Sequence, residues 1–152
     1  MLLNFNSRGI NMLTWEQWRE KSQSSLDAAQ ILLEHDKPVE AASRSYYSAY
    51  QMVTAVLIRL NLSPREAFGN WSHHETVEMY QTHVCKKTNL GVREQQALKR
   101  LLPKLRTLME IRYLADYGDH ATTTAFSSIS SLWRDANRLV SLLNSLIRRG
   151  LL

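Results

Sequence analysis

Arg112, Asp116 and His120 are the residues whose types and spacing suit work on a phosphodiester. Leu98, Leu101, Leu105 and Leu108 repeat at three- and four-residue steps, and the same register continues onto Arg112 and Ala115. A guanidinium therefore stands where packing calls for an aliphatic side chain. Burying it is costly unless it is paired, and Asp116, one helical turn on, is placed to pair with it. Two readings follow. The ion pair fixes helix register, or Asp116 holds an arginine aimed at a phosphate. His120 follows the Gly118 break. An imidazole there titrates near neutrality and could lift the 2′-hydroxyl proton of RNA, while Arg112 stabilises charge building on the phosphate. Such a reaction needs no metal, because the nucleophile is the RNA's own hydroxyl. The plainer account of His120 is a loop residue that caps the next helix or is solvated.

The charge distribution points toward the same ligand class. The chain carries a formal +5. Lys86, Lys87, Arg93, Lys99, Arg100, Lys104 and Arg106 lie within one stretch that holds a single acid, Glu94. The whole excess sits there, as a nucleic-acid-binding surface requires, although a solvated helix face has the same composition.

Tyr46, Tyr47 and Tyr50 cluster in a second segment. Ala42, Tyr46, Ala49, Val53, Val56 and Leu60 share one helical face, which makes Tyr46 a core residue. Tyr47 and Arg44 point away from that stripe, toward RNA bases or a partner subunit. Tyr113 and Tyr117 are one turn apart, a spacing that ordinary packing explains. His73, His74, Glu75, Glu78 and His83 are the residues to weigh for a metal. Position 78 is Glu, so the HExxH string is absent. Cys85 is the one cysteine, which excludes both a PCxxC zinc motif and an internal disulfide. No metal and no cofactor are expected. Gly-rich phosphate loops are absent, and no Ser-His-Asp arrangement can be argued from spacing.

The elements that must position these residues are helices. With 152 residues, 44% of them hydrophobic, the chain is long enough to bury one core. Only 5 Gly and 3 Pro are present, which suits a few long elements. Five helices are predicted, over about Thr14–Glu34, Pro38–Leu60, Ser72–Lys87, Gly91–Tyr117 and Thr122–Arg149. Thr14 with Gln17, and Ser72 with Glu75, have capping-box spacing. Ser63 to Glu66 suits one short helical turn. Pro103 either kinks the fourth helix or starts a new one after a break, and Thr122 to Thr124 offer caps for the fifth. Short connections imply an all-α, up-and-down antiparallel bundle. Residues 13–150 are expected to form the domain, and residues 1–12 a loose leader, with Met12 an alternative start. No apolar stretch is long enough to span a bilayer, and no signal peptide is evident. A cytoplasmic protein is the expectation.

Three strings carry a family resemblance. Ala41-Ala42-Ser43-Arg44-Ser45-Tyr46-Tyr47-Ser48-Ala49-Tyr50 resembles the signature of the second helix of HEPN proteins. The aromatic start of the first helix and Leu26-Asp27-Ala28-Ala29 are similar to that family's opening helix. Arg112-Tyr113-Leu114-Ala115-Asp116-Tyr117 resembles the string that closes its fourth helix, and His73 or His74 falls where many members carry a histidine. The resemblance spans Thr14 to Leu146. It implies a four- or five-helix bundle, usually a homodimer. Many members are metal-independent endoribonucleases of toxin–antitoxin or defence systems, with an arginine followed four to six residues later by a histidine. Others lack that pair and bind nucleotides or act as partners of a nucleotidyltransferase. Here seven residues separate Arg112 from His120, one beyond that pattern. The resemblance thus implies an RNA- or nucleotide-binding domain more directly than it implies cleavage. An antitoxin or nucleotidyltransferase is the protein partner it suggests.

Overall fold

The computed structural model describes residues 12–64, 69–118 and 129–152. Its elements are α1 (Trp15–Glu34), α2 (Pro38–Arg59), α3 (His73–Met79), α4 (Val92–Tyr117) and α5 (Ile129–Arg148), and a π-helical turn over Tyr80–Val84 continues α3. All are helical, and no strand occurs among the described residues.

Both predicted capping boxes form. The Thr14 hydroxyl accepts from the Gln17 N–H at 3.3 Å, and Gln17 accepts from the Thr14 N–H at 2.9 Å. Ser72 and Glu75 make the same exchange at 3.2 and 3.0 Å. Each box satisfies two backbone donors that a helix start leaves unpaired.

Direction follows from cross-helix contacts. Arg59, at the end of α2, lies 4.5 Å over the ring of Trp15 at the start of α1, so the two run antiparallel. The Ser43 hydroxyl near the start of α2 donates to Asp116 at the end of α4 at 2.9 Å. Arg149, just past α5, reaches Glu94 at the start of α4 at 3.0 Å. The four long helices therefore alternate up and down, and α3 crosses between α2 and α4. α2 is the central helix: 13 of its 22 residues are buried. Two of its buried hydroxyls bond within the helix, Ser48 donating to the Ser45 carbonyl at 2.7 Å and Thr54 to the Tyr50 carbonyl at 2.9 Å. The small side chains Ala42, Ser45, Ser48 and Ala49 are buried at 1% exposure or less, which brings neighbouring backbones close.

Two local predictions are refined. The third helix does not stay α-helical to Lys87: beyond Met79 it widens into the π turn, closed by the Cys85 N–H donating to the Tyr80 carbonyl at 3.0 Å. The Tyr80 hydroxyl, fully buried, donates to the Leu98 carbonyl at 2.8 Å and pins this turn to α4. Pro103 neither ends nor restarts α4, which runs as one helix through it. The proline lies on the exposed side, where water can serve the carbonyl that its missing N–H leaves unpaired. Past α5 the chain stays packed to its last residue: the Leu152 side chain is buried, and its carbonyl accepts from Arg59 Nε at 2.9 Å. Arg65 and Glu66 of the predicted short turn, and the predicted caps Thr122 to Thr124, lie outside the described residues.

The core is one cluster to which every helix contributes, with Leu143 from α5 at 0% exposure. Truncating it to alanine removes buried methyl groups and leaves a cavity. Leu143→Ala is expected to lower unfolding stability by about 2–5 kcal/mol in urea denaturation. A change below about 1 kcal/mol would contradict this description of the core.

Candidate functional site

Arg112 is where the geometry concentrates. It sits on the buried face of α4 at 6% exposure. Its Nη1 lies 3.4 Å from Asp116 Oδ2, one turn on, and the other Asp116 oxygen accepts from Ser43 of α2. The guanidinium carbon lies 5.4 Å from the ring centre of Tyr46 and 5.8 Å from that of Tyr47. Aromatic faces attract such a cation electrostatically. Its Nε is buried and has no hydrogen-bond partner among the described residues. Those residues thus compensate this cation incompletely.

The arginine opens onto a groove of about 520 Å³ between the start of α3 and the end of α4, lined by His73, His74, Met109, Glu110, Tyr113 and Leu114 among others. Tyr46 is at 1% exposure, as its stripe predicts. Its hydroxyl lies 2.6 Å from His73 Nδ1. Burial drives the Tyr46 phenol well above its ordinary pKa, partly offset by the neighbouring Arg112. Burial and then Arg112 push the His73 imidazole below its ordinary value, with His74 acting in the same sense and Asp116 opposing.

The other residues singled out by sequence fall into place around this centre. Tyr47 does not face outward freely. It is half-buried and set edge-on to Tyr46, 5.6 Å between ring centres. Arg44, one turn before it, is exposed. Tyr117 is 71% and Tyr113 62% exposed, with ring centres 5.2 Å apart at the groove's edge. His120 lies outside the described residues.

The basic segment separates into two stripes on α4. Lys99, Arg106 and Tyr113 are seven residues apart and share one exposed face with Tyr117. Arg106 also donates to Gln81 in the π turn at 3.2 Å. Arg93, Arg100 and Lys104 form the second stripe, toward α5, where Lys104 lies 3.6 Å from Asp135. Lys86 is exposed and Lys87 half-buried just beyond the π turn. The first stripe leads straight to the groove. Its seven-residue step was readable from spacing. The bond between His73 and Tyr46 was not, since 27 positions separate them.

No group of three or more metal-ligating side chains occurs among the described residues. None of their helices is long and apolar enough to cross a membrane.

Two measurements probe this arrangement. A buried ion pair is often replaced by apolar packing at no loss. Replacing both partners, Arg112→Leu together with Asp116→Ala, should therefore leave stability unchanged or raise it by about 1 kcal/mol. A loss above about 2 kcal/mol in urea titration would assign the pair to holding the fold instead. His73, held neutral by the fold, adds stability that is fully present above its ordinary 6.5 and is lost as pH falls through its lowered folded value. Wild type should lose stability on acidification faster than His73→Gln, read as denaturation midpoints across a pH series. Parallel curves would contradict the half-buried, neutral imidazole.

Residues 15–147 match the HEPN domain model. No curated protein matches the chain.

Proposed function

The chain belongs to the HEPN domain family, and from that premise we propose that it binds RNA or nucleotides through a phosphate contact made by Arg112. The observation that carries this reading is the buried arginine that lines a groove and whose Nε has no partner among the described residues. A desolvated cation with one carboxylate at 3.4 Å still attracts an anion. Arginine also suits phosphate oxygens by the fork of its donors.

Single-stranded RNA fits the surroundings best. Lys99 and Arg106 offer charge along α4, and Tyr113 and Tyr117 follow with exposed rings. Bases paired with a backbone-tracking row of cations and aromatic platforms are the means by which single strands are held without a deep code. Arg93, Arg100, Lys104, Lys86 and Lys87 widen the positive field that draws the strand in. Arg44 and Tyr47 border the same end of α2.

Metal-independent endoribonuclease activity is the finer form of this proposal. It assigns Arg112 to the phosphate and His120 to the 2′-hydroxyl proton, with Asp116 orienting the arginine. A homodimer that brings two such sites together, and a toxin–antitoxin or defence role in the cytoplasm, belong to the same reading. Partnership with a nucleotidyltransferase is the corresponding non-cleaving role.

Binding and cleavage are separable by experiment. Labelled single-stranded RNA should bind with an affinity that falls steeply with salt, because phosphate contacts release counterions. Arg112→Ala should weaken binding by about tenfold or more. A salt-independent affinity, or an undiminished one in Arg112→Ala, would overturn the phosphate assignment. Incubation of total RNA with protein in EDTA tests the nuclease form. Cleavage that is lost in both Arg112→Ala and His120→Ala is the expected pattern, and equal cutting by either variant and wild type would remove those roles.

A further inference from the structure

The groove holds an imidazole for which the phosphate reading has no role. His73 is the first residue of α3 and lines the groove together with Arg112. Its ring is enclosed by three tyrosines of α2, with centres 5.3 Å from Tyr46, 6.0 Å from Tyr47 and 4.9 Å from Tyr50. Its Nδ1 lies 2.6 Å from the Tyr46 hydroxyl.

Elementary chemistry assigns the proton in that bond. A guanidinium has donors only, so Arg112 cannot receive the phenolic proton. Among the described residues, the hydrogen-bond partner of the buried Tyr46 hydroxyl is His73 Nδ1. A hydroxyl that donates to Nδ1 leaves the neutral ring carrying its own proton on Nε2.

We propose that His73 is a ligand-contacting residue of this groove, presenting its Nε2–H as a neutral donor to the same anionic group that Arg112 neutralises, with Tyr46 as the positioning residue that fixes the tautomer. The assignment rests on the phosphate-binding reading of Arg112 and adds a second recognition point to it. The groups facing the ring are Tyr46, Tyr47 and Tyr50 from α2, His74 from α3, and Arg112 and Asp116 from α4. Protonating Nδ1 would set two hydrogens against each other in the Tyr46 bond and add a second cation beside Arg112. The site is built to keep one cation and one neutral N–H. That pairing suits a phosphate oxygen of a mono- or diester, whose charge the arginine meets while the imidazole fixes its direction.

The test measures binding of a fluorescent single-stranded RNA oligonucleotide at fixed salt, alongside ¹⁵N NMR of the histidine rings. His73→Ala should weaken binding by about tenfold. His73→Gln, whose longer amide can place an N–H near the Nε2 position, should restore most of the affinity, and His73→Asn should not. The wild-type ring should show the Nε2–H tautomer at neutral pH, and Tyr46→Phe should mix the two tautomers. An Nδ1–H tautomer in wild type overturns the proposal even if a variant fails to fold. So does wild-type affinity in His73→Ala when Arg112→Ala is weakened, which leaves the phosphate reading standing. Undiminished binding by Arg112→Ala removes both.

Discussion

A single positive charge withdrawn from water organises this end of the bundle. Arg112 lies against the rings of Tyr46 and Tyr47, and its carboxylate partner is itself held by Ser43. Each contact lowers the cost of desolvating the guanidinium, and none removes it: the ion pair is 3.4 Å long and Nε has no partner among the described residues. A leucine would pack here without any of these devices. The proposed phosphate contact would give the remaining donors a partner outside the chain. The same charge explains the histidine beside it, since a protonated imidazole would repel the guanidinium.

The fold supplies that geometry through α2 and α3. Buried alanine and serine residues let α2 occupy the middle of the bundle, so one helix can present Ser43, Tyr46 and Tyr47 to the end of α4. The Ser72 capping box fixes where α3 begins, and with it the placement of His73 over Tyr46. The π turn then inserts a wider step before Cys85. From it Tyr80 and Gln81 reach α4, one to a backbone carbonyl and one to Arg106. The groove is thus bounded by elements fastened at both ends.

How far the site was legible depends on the range of each signal. The helices, both capping boxes and the core place of Tyr46 follow from local periodicity, and they stand in the structure. Arg112 announced itself as the one charged residue in an apolar register, because a broken pattern is visible within a single helix. The seven bases read as one charged run; only their helical positions sort them into a stripe toward the groove and a stripe toward α5. The π turn left no compositional mark, since its cause is tertiary: a buried tyrosine reaching the Leu98 carbonyl. The tie between Tyr46 and His73 crosses two elements, and no spacing rule spans such a gap.

The exposed stripe and the buried arginine act over different distances. Charges on Lys99 and Arg106 lie in water, where physiological salt screens them beyond about 8 Å. On the proposed function they would raise the local concentration of an anionic strand and favour no one alignment. Arg112 is screened far less, but its reach ends at the mouth of the groove. On that proposal it would contribute little to capture and much to which phosphate comes to rest there. A strand drawn along α4 would meet Tyr113 and Tyr117 just where the deep cation becomes accessible, so the order of residues on one helix would convert a diffuse attraction into a fixed register.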